Sequence, residues 1–281
     1  VLGANAIAEF GSADQKKSIL PSVAAGQTIL TAALVEPEAE IEMPGVDATA
    51  TDEGWRLEGV KAYVPAAEIA ATILVSAMTD SGPAGFLVDP KADGVTLESL
   101  STTSYMPESK LTLAGVSLPA NALLGTLENG REIIEWIDLR ANAALCNIAL
   151  GCCEAALEMT AEYSKTRKQF DQPIAMFQSV SHRQSDAYID TQTVRLSALE
   201  VAWMISDGRD ASEEVAIAKH LAAEAGYRVT FSAQHIHGGI GVDREYPVHR
   251  HYIYARHLEL MLGGSTHHLR RLGRLNANSA A

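Results

Sequence analysis

Two stretches of the sequence hold most of the side chains that could do chemistry, and the first follows a long helical pattern. Its members are Arg167, Lys168, Phe170, Pro173 and Gln178. An arginine fork beside a lysine ammonium favours a phosphate or a carboxylate as ligand. The same cations also suit a helix C-terminus, where they oppose the helix dipole. The stretch therefore indicates either an anion site or a stabilised helix end.

The second stretch runs from His237 to Arg250 and contains Gly238, Gly239 and Gly241. Glycines let a backbone approach a ligand closely. This run follows a helical pattern, whereas the glycine loop of a dinucleotide-binding fold follows a strand, so a Rossmann site is not indicated. The alternative is a connection in which glycine ends the helix.

Histidines, serines and cysteines give only weak signals. None of the nine histidines has the i, i+4 spacing of a zinc-binding helix, so no metal site is predicted. No Gly-x-Ser-x-Gly motif marks a hydrolase nucleophile. Cys146 and Cys153 are expected to be buried thiols, and the odd number of cysteines, three with Cys152, argues against a disulfide framework. This usage predicts a reducing compartment, the cytoplasm.

Charge and length exclude several classes of protein. Lys and Arg number 22 against 35 Asp and Glu, which gives a net charge of −13. A field of this sign repels nucleic acids and anionic membranes, so neither is expected as a main partner. No apolar run approaches the ~18 residues of a transmembrane helix. The length of 281 residues is typical of about two domains.

The elements that must position the two stretches fall into three segments. Residues 1–27 look helical, with a capping box at Ser12-Ala-Asp-Gln15. Residues 28–128 show short apolar runs, such as Ile69–Ala77, separated by Gly, Pro and Asp turns, such as the hairpin turn expected at Asp52–Gly54, and this pattern predicts an antiparallel β domain. Over 129–281 strand signals vanish and apolar residues recur at helical spacing, in the ranges 131–166, 176–207 and 211–237. The sequence thus predicts an α+β fold that ends in an antiparallel helical bundle.

Together, the two stretches resemble the acyl-CoA dehydrogenase family. Its pattern is Arg-x-x-Phe-Gly-x-Pro-Leu-x-x-Phe-Gln, followed by Gly-Gly-x-Gly-x-x-x-Glu-Tyr-Pro, and the glycine after the phenylalanine is here Asp171. The resemblance runs from Phe10 onward. It implies an acyl-CoA dehydrogenase-like fold, with a middle β domain and a C-terminal four-helix bundle. The family also carries an N-terminal helical domain, of which roughly 100 residues are expected to be absent here.

The resemblance implies an acyl-CoA substrate, FAD and a carboxylate that removes the α-proton, and this carboxylate is missing. One family position for the glutamate falls at Leu262, or at Gly263 if the count slides by one, and the other falls at Ala141. The nearest acidic residues to Ala141 are Asp138 and Glu135. A lost general base lowers a rate by ~10²–10⁴-fold. No catalytic residue is therefore assigned to this chain.

The β domain also departs from the family. The family's Thr-Glu-Pro-x-x-Gly-Ser-Asp holds the flavin and the pyrophosphate, and here Val35 and Ile41 replace both hydroxyl residues. The family's Trp-Ile-Thr strand has Pro65 in place of the threonine. Three carboxylates nearby would repel a pyrophosphate: Glu38, Glu40 and Glu42. We expect that this chain does not hold a flavin in its own β domain.

In the family each FAD spans two subunits, and the residues that face the neighbour's FAD are retained here. By resemblance these are Arg167, Phe170, Gln178, Gly238 and Gly239, with His235 where the family has glutamine. Selective retention predicts a chain that shares FAD with a partner subunit, which carries the catalytic glutamate. The chain looks like the base-lacking subunit of the α2β2 acyl-CoA dehydrogenases of actinobacterial steroid (cholesterol) side-chain degradation. This resemblance also implies an acceptor similar to electron-transfer flavoprotein.

Two other interpretations stay open from the sequence. An active homotetramer that uses Asp138 or Glu135 as its base would be yellow and active when purified alone. A flavin-free structural or binding protein on the same scaffold would carry no flavin in any assembly. A non-catalytic subunit would be colourless alone and yellow with its partner, so flavin content separates the three.

Overall fold

The N-terminal segment forms two helices, as predicted. The structure, a computed structural model, describes residues 2–279 of the chain. Helix α1 spans Ala4–Phe10 and helix α2 spans Ala13–Ala24. The Ser12 hydroxyl accepts a hydrogen bond from the Gln15 N–H (3.2 Å), and the Gln15 side chain accepts one from the Ser12 N–H (2.9 Å). This reciprocal pair is the predicted capping box, and it begins α2.

An eight-stranded sheet follows the helices, in the strand order β6-β7-β3-β2-β4-β5-β8 with β1 beside β4. Its strands are β1 Leu30–Ala33, β2 Asp47–Thr51, β3 Gly54–Pro65, β4 Thr72–Thr79, β5 Gly82–Val88, β6 Val95–Leu100, β7 Glu108–Pro119 and β8 Leu123–Leu124. Most pairings are antiparallel, as predicted. The pairs β1–β4 and β2–β4 are parallel, so the sheet is mixed. A parallel pair needs a long connection, and neither β1 nor β2 is followed directly by β4.

The turn predicted at Asp52–Gly54 joins β2 to β3, with Thr51 opposite Gly54. Gly54 has φ of 150°, and a Cβ at this position would lie 2.2 Å from the Leu118 carbonyl oxygen. Only glycine therefore fits where β3 meets β7. Ile69 was expected in a strand but lies in a 3₁₀ turn, because Ala66 before it adopts the left-handed conformation.

The sheet buries a continuous apolar core. Trp55 packs edge-on against Phe86, with ring centroids 5.2 Å apart. Fully buried side chains from three strands belong to the same core: Leu57 on β3, Val75 on β4, and Leu111 and Val116 on β7. Burial of such side chains is the main stabilising contribution to this unit.

The C-terminal segment contains five α-helices as far as residue 279, and the first three match the predicted ranges within two residues. They are α3 Gly130–Thr166, α4 Gln178–Ser206, α5 Ser212–His237, α6 Val248–Leu260 and α7 Ser265–Ser279. All three cysteines are buried here, and burial raises the pKa of the Cys146 thiol to about 12. The predicted burial of Cys146 and Cys153 is confirmed, and Cys152 is buried as well.

One prediction for this segment is wrong, because strands do occur after residue 129. Lys168–Gln169 (β9) pairs antiparallel with Gln172–Pro173 (β10) in a small hairpin. Strands of two residues are too short to show the alternating pattern on which a prediction depends.

Contacts divide the chain into two compact units, Val1–Ala141 and Asn142–Ala281. The division falls within α3, so the predicted domain boundary at 128/129 stays a prediction. The expectation that no apolar stretch approaches a transmembrane helix is wrong for α3, which among the described helices is alone long and apolar enough to cross a membrane. Half of its most apolar window is, however, buried in the protein. Buried core helices share that composition. The expectation of no membrane partner likewise stays a prediction.

Candidate functional site

The first predicted stretch forms the β9–β10 hairpin, whose two turn residues present an aromatic ring to solvent. Phe170 and Asp171 both have positive φ, 51° and 64°, as a two-residue turn with the twist of a hairpin requires. The Phe170 side chain is 88% exposed and touches Phe177 edge-on, with centroids 6.2 Å apart. A large apolar ring held outward in a strained backbone conformation suits contact with a ligand or another chain.

Arg167 and Gln178 lie on either side of the hairpin in the chain. Helix α3 ends at Thr166, and the exposed Arg167 follows it, with its N–H donating to the Tyr163 carbonyl (2.8 Å). The Ile174 N–H donates back to the Arg167 carbonyl (2.8 Å) and closes the loop. Gln178 is exposed at the first position of α4. Arg167, Phe170 and Gln178 thus belong to one exposed local structure.

The second predicted stretch begins where α5 ends. Gly238 has φ of 65° and its N–H donates to the His235 carbonyl, so the glycine ends the helix as predicted. A Cβ at Gly238 or Gly239 would meet no atom within 4 Å in the described part of the chain. Gly241 differs, because a Cβ there would lie 2.4 Å from the Gln234 carbonyl oxygen. Gly238 and Gly239 therefore face open space, whereas Gly241 serves packing.

Aromatic contacts connect the two stretches. The His237 ring stacks on Tyr163, with centroids 4.3 Å apart and planes at 23°. The Tyr163 hydroxyl donates to the His237 carbonyl (3.4 Å). His235 is exposed two residues before the helix ends, and its ring lies 6.2 Å from that of Phe231. The last turn of α3, which leads into Arg167, therefore contacts the end of α5 directly.

Neither family position for the base holds a carboxylate, and both are buried. Ala141 is 4% exposed and Leu262 is 8% exposed. Leu262 also adopts a left-handed conformation (φ 53°). Gly263 has φ of 98°, and a Cβ there would lie 2.5 Å from the His267 ring. The nearest acidic residues to Ala141 differ in environment, since Asp138 is buried and Glu135 is exposed.

Two buried side chains clamp the Leu262–Gly263 loop, and the sequence analysis missed both. The Lys219 ammonium donates to the carbonyls of Leu258, Glu259 and Gly263 at 3.0–3.1 Å. His268 is fully buried, and burial together with nearby Lys219 lowers its pKa to about 3. The neutral ring lies with Nε2 3.1 Å from the Leu262 carbonyl, as donor.

In the sheet unit, the positions that hold the flavin in the family carry other contacts. The Val35 carbonyl accepts a hydrogen bond from the Ala62 N–H (2.9 Å), and the Pro65 carbonyl accepts one from the Thr31 hydroxyl (2.6 Å). Ile41 is buried. No hydroxyl group is thus offered from positions 35, 41 and 65.

Glu36 closes the loop that follows β1 on itself. Its carboxylate pairs with the fully buried Lys61 and accepts hydrogen bonds from the N–H groups of Gly45 (2.8 Å) and Val46 (3.3 Å). Lys61 also donates to the Ser76 hydroxyl (2.8 Å), and burial lowers its pKa to about 8. Removal of either partner would leave an uncompensated buried charge and would destabilise the fold.

Comparisons with known proteins show the family to which this chain belongs. The model of the acyl-CoA dehydrogenase C-terminal domain matches residues 130–275, more than half of the chain. Acyl-CoA dehydrogenase FadE27 of Mycobacterium tuberculosis is 39% identical over 100% of this chain and 76% of its own length. FadE28 of the same organism is 35% identical over 97% of this chain and 76% of its own. The chain belongs to the acyl-CoA dehydrogenase family.

Solved structures of family members show the same fold. A chain of the ChsE4–ChsE5 complex of Mycobacterium tuberculosis has a TM-score of 0.93 at 39% identity, covering 98% of this chain and 74% of that one. A chain of the Tcur3481–Tcur3483 steroid acyl-CoA dehydrogenase has a TM-score of 0.92 at 40% identity, covering 99% and 74%. This acyl-CoA dehydrogenase fold, a mixed sheet and a helical C-terminal region, confirms the predicted fold class. The family consists of oxidoreductases that act on CH–CH bonds.

Members of this acyl-CoA dehydrogenase family use FAD, and two parts of the chain differ in how well they suit it. The exposed Arg167, Phe170 and Gln178, with the open backbone at Gly238 and Gly239, offer a cation, a ring, an amide and free backbone surface. The sheet unit offers apolar side chains at positions 35, 41 and 65 and three carboxylates at 38, 40 and 42. The exposed residues of the helical segment therefore fit a part of FAD that carries phosphates. The residues at positions 35, 41 and 65 of the sheet segment do not fit the flavin end.

We expect Leu262→Glu to leave the purified chain inactive, at the background rate of the uncatalysed reaction. A general base works only within hydrogen-bond reach of its proton and beside an acceptor for the hydride, and the sheet unit lacks the hydroxyl groups that hold a flavin. The measurement is reduction of a dye acceptor by acyl-CoA, with Leu262→Gln as the uncharged control. Turnover by Leu262→Glu alone, absent from Leu262→Gln, would show that this chain holds a working flavin site.

Proposed function

We propose that this chain is the non-catalytic subunit of a heteromeric FAD-dependent acyl-CoA dehydrogenase, and that it completes the FAD site of a related partner subunit in the cytoplasm. The observation that carries the proposal is the contrast between the sheet segment and the helical segment. The residues that face a neighbour's FAD in the family are present and exposed in the helical segment, whereas the flavin-holding positions of the sheet segment carry Val35, Ile41 and Pro65. Random decay would affect both segments alike.

In this proposal the chain binds and orients the FAD of the partner subunit, and it moves no proton. Arg167 offers a charge-assisted fork to the phosphates of the partner's FAD. Phe170 covers the cofactor with its exposed ring, Gln178 offers an amide, and Gly238 and Gly239 let backbone approach the cofactor. Bound FAD supplies the acceptor for the hydride that leaves the acyl-CoA. The partner subunit supplies the glutamate that takes the α-proton.

The substrate class proposed is the CoA thioester of a steroid side chain. Support comes from the similar solved structures, one of which is a steroid acyl-CoA dehydrogenase, and both of which are complexes of two different chains. The electrons would pass to an acceptor similar to electron-transfer flavoprotein.

Flavin content tests the proposal directly. The chain purified alone is expected to be colourless and inactive, and co-expression with its partner is expected to give a yellow complex in which a second acyl-CoA dehydrogenase chain co-purifies. A yellow, active protein without a partner would instead favour a homotetramer that uses Asp138 or Glu135. A complex without flavin would favour a structural role.

A further inference from the structure

A stack of three aromatic rings lies between the two stretches that face FAD. The buried His237 ring contacts both others: it is stacked on Tyr163, with centroids 4.3 Å apart, and the Tyr246 ring is tilted against it at 50°, with centroids 5.3 Å apart. The His237 Nδ1 lies 2.8 Å from the Ala233 carbonyl oxygen and donates to it. Tyr246 packs in turn against a small core that contains Val248.

Each ring of the stack belongs to, or adjoins, one of these stretches. The Tyr163 carbonyl accepts the hydrogen bond of the Arg167 N–H (2.8 Å), so the position of Tyr163 sets where Arg167 leaves the helix. His237 is followed directly by Gly238. The Tyr246 N–H donates to the Asp243 carbonyl (3.2 Å) and so closes the turn beyond the glycines. A shift of one ring would therefore move both stretches.

At its Nε2 edge the His237 ring is held by contact with other rings rather than by hydrogen bonds. Its Nε2 is buried without a hydrogen-bond partner in the described part of the chain. Burial lowers the pKa of His237, so the ring is neutral at pH 7. A phenylalanine would keep the flat ring and remove the unpartnered nitrogen.

We propose that His237 is a positioning residue, and that the Tyr163–His237–Tyr246 stack couples the Arg167–Gln178 stretch to the Gly238–Tyr246 stretch. The identity of the ligand, a partner's FAD, rests on the proposed function. The coupling itself is a property of this chain and can be measured without the ligand.

Amide hydrogen exchange on the full chain tests the coupling. In His237→Ala, exchange of the hydrogen-bonded amides of Arg167, Ile174, Asp243 and Tyr246 is expected to rise by about tenfold, and His237→Phe is expected to return all four close to wild type. The matched control is His257→Ala, which removes a ring stacked on Tyr254 within α6 (6.0 Å, 14°) and should leave these amides unchanged.

The reciprocal variant keeps the test decisive if His237→Ala does not fold. Tyr163→Leu should raise exchange at Asp243 and Tyr246, on the far side of the stack. Faster exchange confined to the stretch that carries the substitution would overturn the coupling. In the co-purified complex, His237→Ala should also lose FAD on gel filtration and His237→Phe should retain it. If even the wild-type complex lacks FAD, the proposed function fails while the exchange result still decides the coupling.

Discussion

Replacing the glutamate that we propose as the catalytic base of the partner subunit will lower turnover of the complex by about 10²-fold or more, whereas Asp138→Asn and Glu135→Gln in this chain will leave it within about a few-fold of wild type. The reason is that a general base contributes only where it reaches the proton. Asp138 is buried on α3 and Glu135 is exposed on the same helix, and neither occupies a family position for the base. The measurement is steady-state turnover with an acyl-CoA substrate.

Both variants of this chain need a check of their integrity, because Asp138 is 1% exposed and its substitution alters a buried polar group. The flavin spectrum and the melting temperature of the complex supply that check. Glu135→Gln changes a surface residue and serves as the matched variant with little structural effect. A large loss of turnover in Asp138→Asn, with fold and FAD intact, would make this chain a catalyst in its own right.

Arg167→Ala in this chain should weaken retention of FAD by the complex by roughly 10- to 150-fold. This range corresponds to the ~1.5–3 kcal/mol of a hydrogen bond to a charged group. Arg167 directly follows the end of α3 and is exposed. Equilibrium dialysis of FAD from the complex measures the change. The FAD affinity of Arg167→Lys should lie between those of the wild type and Arg167→Ala, because lysine keeps the charge and loses the planar fork.

Lys165→Ala is the matched control for this prediction. Lys165 lies in the last turn of the same helix, carries the same charge and forms an exposed pair with Glu162. If Arg167 acted only on the helix dipole, the two alanine variants would have similar small effects on stability and none on FAD. Equal FAD affinity in Arg167→Ala and Lys165→Ala would therefore contradict the assignment.

Local signals in the sequence predicted most of the elements correctly. The capping box at Ser12, the turn before Gly54 and the stop at Gly238 each depend on residues close together in the chain, and each occurs in the structure. The long helices were equally accessible, because their apolar residues repeat over many turns. The site residues were found through two long motifs rather than through general chemistry.

Features that depend on contacts distant in sequence were missed. Lys61 pairs with Glu36 across 25 positions, and Lys219 reaches the Leu262–Gly263 loop across about 40 positions. A buried lysine in a sequence looks the same as an exposed one until its partners are known. The ring of Tyr163 gave no signal either, since its stacking partner His237 lies on another helix.

The number of FAD molecules per heterodimer tests the central claim most directly. If Val35, Ile41 and Pro65 leave the sheet unit of this chain without a flavin site, each heterodimer should hold one FAD, bound by the partner and completed by this chain. Flavin absorbance of the denatured complex, divided by its protein concentration, gives the ratio. The account predicts one FAD per heterodimer, and two per heterodimer would contradict it.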